Sequence, residues 1–178
     1  PGFAHHEGSE LPAWEEEGAR LRLIAGTAAG RRSPTAVASP TLYLRAELEA
    51  GAVLVLDDEH PERAVYVVSG GLELGGTAVG AGAMAVLAPG GTVELRATTP
   101  TRAMVLGGSP LDGPRHLRWN FVASERAAID EAERDWRAAI ATGFRGGRFG
   151  LPPGEREHIP LPPLPGGPPE PCAECPTS

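Results

Sequence analysis

The order of the predicted elements constrains this sequence most, because many short β-strand patterns come first and one helical pattern follows them. The strand patterns lie at residues 20–26, 42–48, 53–56, 64–68, 72–74, 84–87, 92–96 and 103–106. Gly70-Gly71 is predicted to close a hairpin between two of them, and residues 27–40 to form a loop. Many short strands at this spacing predict an antiparallel barrel or sandwich. A parallel sheet is not expected, since it needs a helix between successive strands.

One amphipathic helix is predicted after the strands, over about residues 124–140. Four apolar residues recur there on one helical face, namely Ile129, Ala132, Trp136 and Ala139. Ser124 precedes them, and its hydroxyl group is suited to cap the first turn. We therefore expect the helix to pack through this face, with Trp136 largely buried.

Charge and hydropathy argue against two classes of partner. The 178-residue chain has a net charge of −7, whereas binding to nucleic acid or to an anionic membrane needs a basic surface. No apolar run approaches the roughly 20 residues of a transmembrane helix, and no signal-peptide pattern is present. We therefore expect a cytoplasmic protein with no membrane partner. Pro1 stands where an initial methionine is usual, which indicates a processed, trimmed or partial chain.

Proline recurs throughout residues 151–178, so neither a helix nor a strand ladder is expected there. The first part is predicted to dock as an extended arm, and residues 164–178 to be a disordered proline-rich tail. Cys172 and Cys175 lie in this tail. A zinc site needs four ligands and no second Cys-x-x-Cys pair is present, so the two cysteines are assigned no role.

A set of short motifs stands out between residues 11 and 163. Upstream they are Tyr66-Val67-Val68-Ser69-Gly70 and Gly107-Gly108-Ser109-Pro110-Leu111. Downstream they are Pro114-Arg115-His116, Trp119-Asn120-Phe121-Val122, Asp135-Trp136, Gly147-Arg148-Phe149 and His158-Ile159-Pro160-Leu161-Pro162. Each motif is short, but the set resembles the pirin family.

The resemblance implies a bicupin, a chain with two similar β-barrels. In that family the first barrel holds a metal, usually iron, through three histidines and one glutamate, and the second normally holds none. This chain is long enough for one barrel, and its motifs match the second. We therefore expect an all-β fold: a single cupin-type antiparallel β-barrel (double-stranded β-helix) with one C-terminal α-helix and a proline-rich tail. The expected layout is a linker segment at 1–19, the barrel at 20–122, the helix and docking arm at 123–163, and the tail at 164–178.

The family's metal-binding positions hold other residues here. Gly51 and Gly70 frame the first cupin motif. The two histidine positions of this motif hold Asp57 and Glu59, and its glutamate position holds Arg63 or Ala64. The histidine position of the second motif holds Glu94. We therefore expect no catalytic residue, metal or cofactor in this chain. The positions are interpreted as a vestigial site, in which Arg63 pairs with Glu59 or Glu94.

A different cation site is the alternative, because carboxylates together with His60 form a ligand set for a divalent metal. The run at 57–62 is hydrophilic and contains Pro61, which favours an exposed loop instead. No phosphate-binding loop and no nucleophile elbow is present.

Three functions remain open. Members of the family that the chain resembles include transcription regulators and enzymes resembling quercetin dioxygenases. The chain is interpreted first as a metal-free interaction half, whose partner is an N-terminal cupin domain or another subunit with the iron. The alternatives are part of an iron-dependent quercetin 2,3-dioxygenase-like oxidoreductase, with the metal in that N-terminal cupin, and a cupin that binds a small molecule. Whether the protein is an enzyme is left open.

Overall fold

The computed structural model describes residues 3–163. The predictions for the tail at 164–178, with Cys172 and Cys175, lie outside the described residues. Contacts divide the chain into two units, Pro1–Pro110 and Leu111–Ser178. No helix within residues 3–163 is long and apolar enough to cross a lipid bilayer.

The first unit consists of antiparallel strands, as predicted. The strands are β1 (Ala13–Glu16), β2 (Ala19–Ala28), β3 (Arg31–Arg32), β4 (Thr41–Leu48), β5 (Val53–Leu56), β6 (Glu62–Ser69), β7 (Gly71–Leu74), β8 (Thr77–Gly80), β9 (Met84–Leu87), β10 (Val93–Ala97) and β11 (Thr101–Gly108). In this part of the chain they form a seven-stranded sheet with the order β1-β2-β4-β11-β6-β9, where β3 pairs with β2. A four-stranded sheet has the order β5-β10-β7-β8.

Alternating side chains of both sheets meet in one aliphatic core. In β4 the inward residues are buried and their neighbours are not, because successive side chains of a strand point to opposite faces. The inward set of β4 is Leu42, Leu44, Ala46 and Leu48. Leu54, Leu72 and Leu95 supply the opposing side from the four-stranded sheet. Each buried leucine contributes on the order of 1.5–3 kcal/mol to folding, so this packing dominates the stability of the unit.

The Gly70-Gly71 hairpin prediction is wrong. Strand β6 ends at Ser69 in the seven-stranded sheet, and β7 begins at Gly71 in the four-stranded sheet, so this turn carries the chain between sheets. Gly70 has a φ of +84°, and a Cβ atom there would lie 2.4 Å from the Pro100 carbonyl oxygen. Glycine is therefore needed for a crossover, which has the same local sequence signal as a hairpin.

Three strands of this unit were not predicted. They are β1, β3, which lies within the predicted 27–40 loop, and β8, which pairs with β7. Each has at most four residues, and short segments carry little periodicity.

The second unit contains a hairpin, β12 (His116–Arg118) and β13 (Phe121–Ala123), followed by α1 (Arg126–Ala141). Residues of the predicted helix face are buried, namely Ile129, Ala132 and Ala139. Trp136 is only partly buried, and its ring contacts those of Trp119, Phe144 and Phe149. The Ser124 cap prediction is wrong, because Glu125 is the N-cap residue and no side chain caps the helix.

The close approach of β2 to β4 at Gly26 predicts that one added methyl group will strongly lower the free energy of unfolding. Gly26 has a φ of +81°, and a Cβ atom there would lie 1.6 Å from the Thr41 carbonyl oxygen. Gly26→Ala should therefore lower the free energy of unfolding by roughly 2–4 kcal/mol in a urea titration. Gly80→Ala is the control, since a Cβ atom at Gly80 meets nothing within 4 Å. Equal midpoints for the two variants would contradict the prediction.

The charge cluster around Glu47 predicts a dependence of stability on pH. A hydrogen bond from Arg45 lowers the pKa of Glu47, burial opposes this, and the charges of Arg20 and Arg102 lower it further. Since the folded pKa lies below the ordinary value of about 4.3, the stabilisation is complete above that value. It is lost as the pH falls through the folded pKa.

Glu47→Gln should thus cost about 1 kcal/mol or less at pH 7, and nothing once the carboxyl group is protonated. Chemical denaturation between pH 7 and pH 2.5 measures the difference from the wild-type chain. Glu62→Gln, at an exposed position, is the control and should show no such closing of the gap. A gap for Glu47→Gln that is constant with pH would refute the electrostatic cause.

Candidate functional site

Three of the predicted vestigial positions, Asp57, Glu59 and Arg63, lie where β5 passes into β6, whereas Glu94 lies on β10. The 57–61 connection follows β5, Arg63 is the second residue of β6, and the 88–92 loop joins β9 to β10. Thr27 reaches the same place from β2. The 57–61 connection, the 88–92 loop and the end of β2 therefore meet at one end of the barrel, which is called the mouth of the barrel below.

Arg63 is the centre of this region. The side chain is almost completely buried, with 3% exposure. Its Nη1 donates to the carbonyl oxygens of Asp57 and, over 3.0 Å, of Gly91. Its Nη2 donates to the carbonyl oxygens of Gly90 at 3.1 Å and Ala88 at 3.3 Å. One guanidinium group thus ties the 57–61 connection to the 88–92 loop.

Arg63 does not make the carboxylate pair that the sequence led us to expect. Its four hydrogen bonds go to backbone carbonyl groups rather than to Glu59 or Glu94. The Nε atom is buried and has no hydrogen-bond partner. Carbonyl dipoles therefore take the place of a counter-ion for this buried charge, which the guanidinium fork suits because its donors lie in one plane.

His60 is the second buried polar residue, with 4% exposure. Its Nε2 lies 3.0 Å from the Thr27 carbonyl oxygen and 3.3 Å from the Thr27 hydroxyl group. A carbonyl oxygen only accepts, so Nε2 carries hydrogen and has no lone pair for a metal. His60 therefore fastens the 57–61 connection to β2.

The three carboxylates at the predicted vestigial positions do not converge. Asp57 and Glu59 are exposed. Asp57 accepts from the Glu59 backbone N–H at 3.2 Å, and Glu59 accepts from the Thr27 hydroxyl group. Glu94 is exposed on the outer face of β10, where Leu95 is the buried neighbour. Glu94 therefore faces away from the core, and the predicted Arg63–Glu94 pair is not formed.

The space beside Arg63 and His60 is a cavity of about 50 Å³. Its walls include Trp14 and Glu59, together with leucines from β2, β4 and β5. Sites for small organic ligands usually enclose roughly 300–1,000 Å³. This cavity has room for water but not for an aromatic substrate such as a flavonol.

The residues present do not fit the iron of a metal-bearing cupin. Such a centre needs neutral imidazoles and a carboxylate that converge with open positions. Arg63, one of the two candidates for the glutamate position, is a buried cation. The nearby imidazole of His60 is engaged through Nε2, and the Glu94 carboxylate faces outward. Among residues 3–163, no three histidine, cysteine, aspartate or glutamate side chains are grouped to hold a metal ion.

Sequence reasoning missed two contributors to this region. Thr27 bonds both Glu59 and His60, although it lies in the predicted loop. Gly107 permits close contact, because a Cβ atom there would lie 2.6 Å from the Glu62 carbonyl oxygen and 3.4 Å from Arg63 Cγ. The Gly107-Gly108 motif was the sequence signal for a close contact at this point, but it did not indicate that Glu62 and Arg63 are the residues in contact.

The carbonyl contacts predict that lysine cannot replace arginine at position 63. A lysine ammonium group has three donors and no planar fork, so several of the four buried carbonyl groups would lose their partners. Arg63→Lys should lower the free energy of unfolding by about 2–4 kcal/mol. Guanidinium titration followed by tryptophan fluorescence measures this loss.

Arg96→Lys is the matched control, because Arg96 is exposed on β10. It should change the free energy of unfolding by less than about 0.5 kcal/mol. If the two lysine variants unfold at the same midpoint, Arg63 does not hold the two loops together.

Comparisons with known proteins agree with the fold. The family model of the pirin C-terminal cupin domain matches residues 43–142. A pirin-like protein of Caulobacter vibrioides is 44% identical, over 91% of this chain and 54% of its own length. Pirin of Rattus norvegicus is 29% identical, over 83% and 53%. The crystal structure of quercetin 2,3-dioxygenase from Acinetobacter baumannii has a TM-score of 0.70 and 26% identity, over 78% of this chain and 50% of that one.

The chain thus spans about half the length of the curated relatives it matches. The structural match confirms the predicted cupin-type barrel. Since both the family model and a relative with 44% identity cover most of the barrel, this chain belongs to the pirin family and corresponds to its C-terminal cupin half.

Proposed function

We propose that this chain is a metal-free cupin half, which acts as a structural and interaction domain beside a metal-bearing cupin. The observation that carries the proposal is the buried guanidinium group of Arg63, which with Ala64 is a candidate for the position of the family's glutamate ligand. A fixed positive charge repels a metal cation, and the aliphatic core fills the space on the inner side of the strands. A cytoplasmic location is part of this proposal, on the sequence alone.

The proposed role follows from what the arrangement of residues does. Arg63 and His60 hold the mouth of the barrel together, and the cavity beside them, of about 50 Å³, has no room for an organic substrate. In this proposal the barrel provides a rigid surface for interaction with the metal-bearing cupin and takes no part in catalysis. The iron, if the complete assembly has one, belongs in this proposal to the N-terminal cupin or to another subunit.

An oxidoreductase is the second candidate for the complete protein. The similarity to a structure named quercetin 2,3-dioxygenase supports it, at 26% identity and a TM-score of 0.70. In that case the present chain would stabilise or orient a catalytic barrel that carries the metal. An upstream reading frame that encodes a His-x-His cupin motif would favour this candidate. The third candidate, small-molecule binding within this barrel, is disfavoured by the cavity of about 50 Å³.

Elemental analysis tests the proposal. The 178-residue chain is produced in iron-supplemented medium and purified without chelator. We expect far less than one iron per chain and no consumption of quercetin under oxygen, because no set of ligands converges at the mouth of the barrel. His60→Gln and Glu94→Gln should then have the same metal content as the wild-type chain.

Stoichiometric iron that disappears in His60→Gln or Glu94→Gln, together with lost activity, would overturn the proposal. Glu73→Gln is the matched control, since Glu73 is exposed on β7, away from the mouth of the barrel. It should leave both readings unchanged.

A further inference from the structure

Residues 150–163 form an extended arm that follows α1 and contains no helix or strand. Leu161 is the one buried residue of this arm, with 1% exposure. Leu151 and Pro162 are half-buried, and the other residues of the arm are exposed. The arm is therefore anchored at one point near its end rather than along its length.

Arg118 of β12 holds the arm next to this anchor. Its Nη2 donates to the Pro162 carbonyl oxygen, and its Nε donates to the Glu133 carboxylate of α1 over 2.7 Å. The side chains of Arg118 and Glu133 are largely buried, with 15% and 13% exposure. Because the carboxylate fixes the orientation of the guanidinium group, the donor for the arm is already in place before the arm closes.

The other contacts of the arm are few. The ring of His158, an exposed residue, lies 5.2 Å from the ring of Phe144. Glu155 accepts hydrogen bonds from the backbone N–H groups of Arg156 and Glu157, which are contacts within the arm itself. One leucine, one hydrogen bond and one ring contact must therefore offset the conformational entropy that is lost when the arm is ordered.

A pivot precedes the arm. The ring of Phe149 lies 5.2 Å from that of Trp136 and 5.7 Å from that of Phe121, so this residue belongs to the aromatic cluster of the second unit. The next residue, Gly150, is exposed, and a Cβ atom there would meet nothing within 4 Å. The chain can thus change direction at Gly150 while Phe149 stays packed.

We propose that residues 150–163 are a reversible strap. The strap closes when Leu161 is buried and Arg118 bonds Pro162, and it opens about Gly150 while β12, β13 and α1 stay folded. Local opening of this kind needs less free energy than unfolding of a core. Opening releases one donor of Arg118 and uncovers the site of Leu161, so the second unit has a different surface in each state. The proposal is independent of the metal-free function, because no residue at the mouth of the barrel takes part in it.

Thiol labelling of the full chain tests whether the strap opens by itself. The native thiols are removed by Cys172→Ser and Cys175→Ser, and Leu161→Cys and Ile129→Cys are then labelled separately with a disulfide reagent. Leu161 and Ile129 both have 1% exposure, so labelling at either position requires an opening. We expect Leu161→Cys to be labelled at least about 100-fold faster than Ile129→Cys, at a rate that low urea concentrations leave unchanged. The Ile129→Cys rate should rise steeply with urea, because its thiol is reached only when α1 unfolds.

Arg118→Gln tests the latch. It should raise the labelling rate of Leu161→Cys relative to that of Ile129→Cys by about tenfold, because the charged donor to Pro162 is lost. Arg126→Gln is the matched control, since Arg126 is an exposed arginine of α1, and it should leave the ratio unchanged. Equal rates and equal urea dependence for the two thiols, labelling of Leu161→Cys at the rate of a free thiol, or a ratio that Arg118→Gln does not alter would each overturn the proposal.

Discussion

The arrangement of the barrel mouth depends on one buried charge that is solvated by the backbone. The guanidinium group of Arg63 bonds four carbonyl oxygens from two separate segments, and no carboxylate takes part in those bonds. A metal ion in a barrel mouth also draws several segments to one point. Here the same convergence comes from a side chain with fixed donor geometry, which keeps its bonds regardless of metal supply or chelators. His60 adds a second link, to β2.

The aliphatic interior explains why this arrangement is compatible with a stable fold. Inward positions of β4, β6 and β10 hold leucine, valine and alanine up to the level of Arg63. A catalytic barrel must keep polar ligands and open volume in that place, at a cost in packing. In this chain the volume is filled, and the small remaining cavity lies beside Arg63 and the 57–61 connection. The filled aliphatic interior and the hydrogen bonds of Arg63 at the mouth thus occupy together the space that a catalytic barrel keeps open.

Sequence patterns predicted the strands well wherever one face is buried. The alternation at residues 42–48 gave β4 almost to its ends, because burial imposes a period of two. The apolar spacing of Ile129, Ala132 and Ala139 gave the buried face of the helix for the same reason. Gly70-Gly71 was misassigned because a tight turn has one local signal, whether the next strand returns to the same sheet or enters another.

The site was less predictable than the fold. The spacing of the second motif assigned Glu94 to a ligand position, but successive residues of a strand point to opposite faces, and Leu95 is the inward residue of β10. Arg63 bonds to backbone carbonyl groups, which every residue has, so these partners cannot be predicted from a pattern of side chains. The contact between Thr27 and His60 could not be predicted either, because the two residues are 33 positions apart in the sequence.

The position of β11 in the sheet has a consequence for synthesis on the ribosome. This strand lies between β4 and β6, with Val105 paired to both Leu44 and Val65, yet it is the last strand of the barrel to be made. Until residue 108 has left the exit tunnel, β4 and β6 have no common neighbour, and the strand edges that pair with β11 stay unpaired. Growth of the chain by itself cannot complete this sheet strand by strand, because β11 joins β4 from about 60 residues earlier and β6 from about 40 residues earlier. During translation the nascent chain therefore has two open strand edges, on β4 and β6, that must be kept from pairing with other chains.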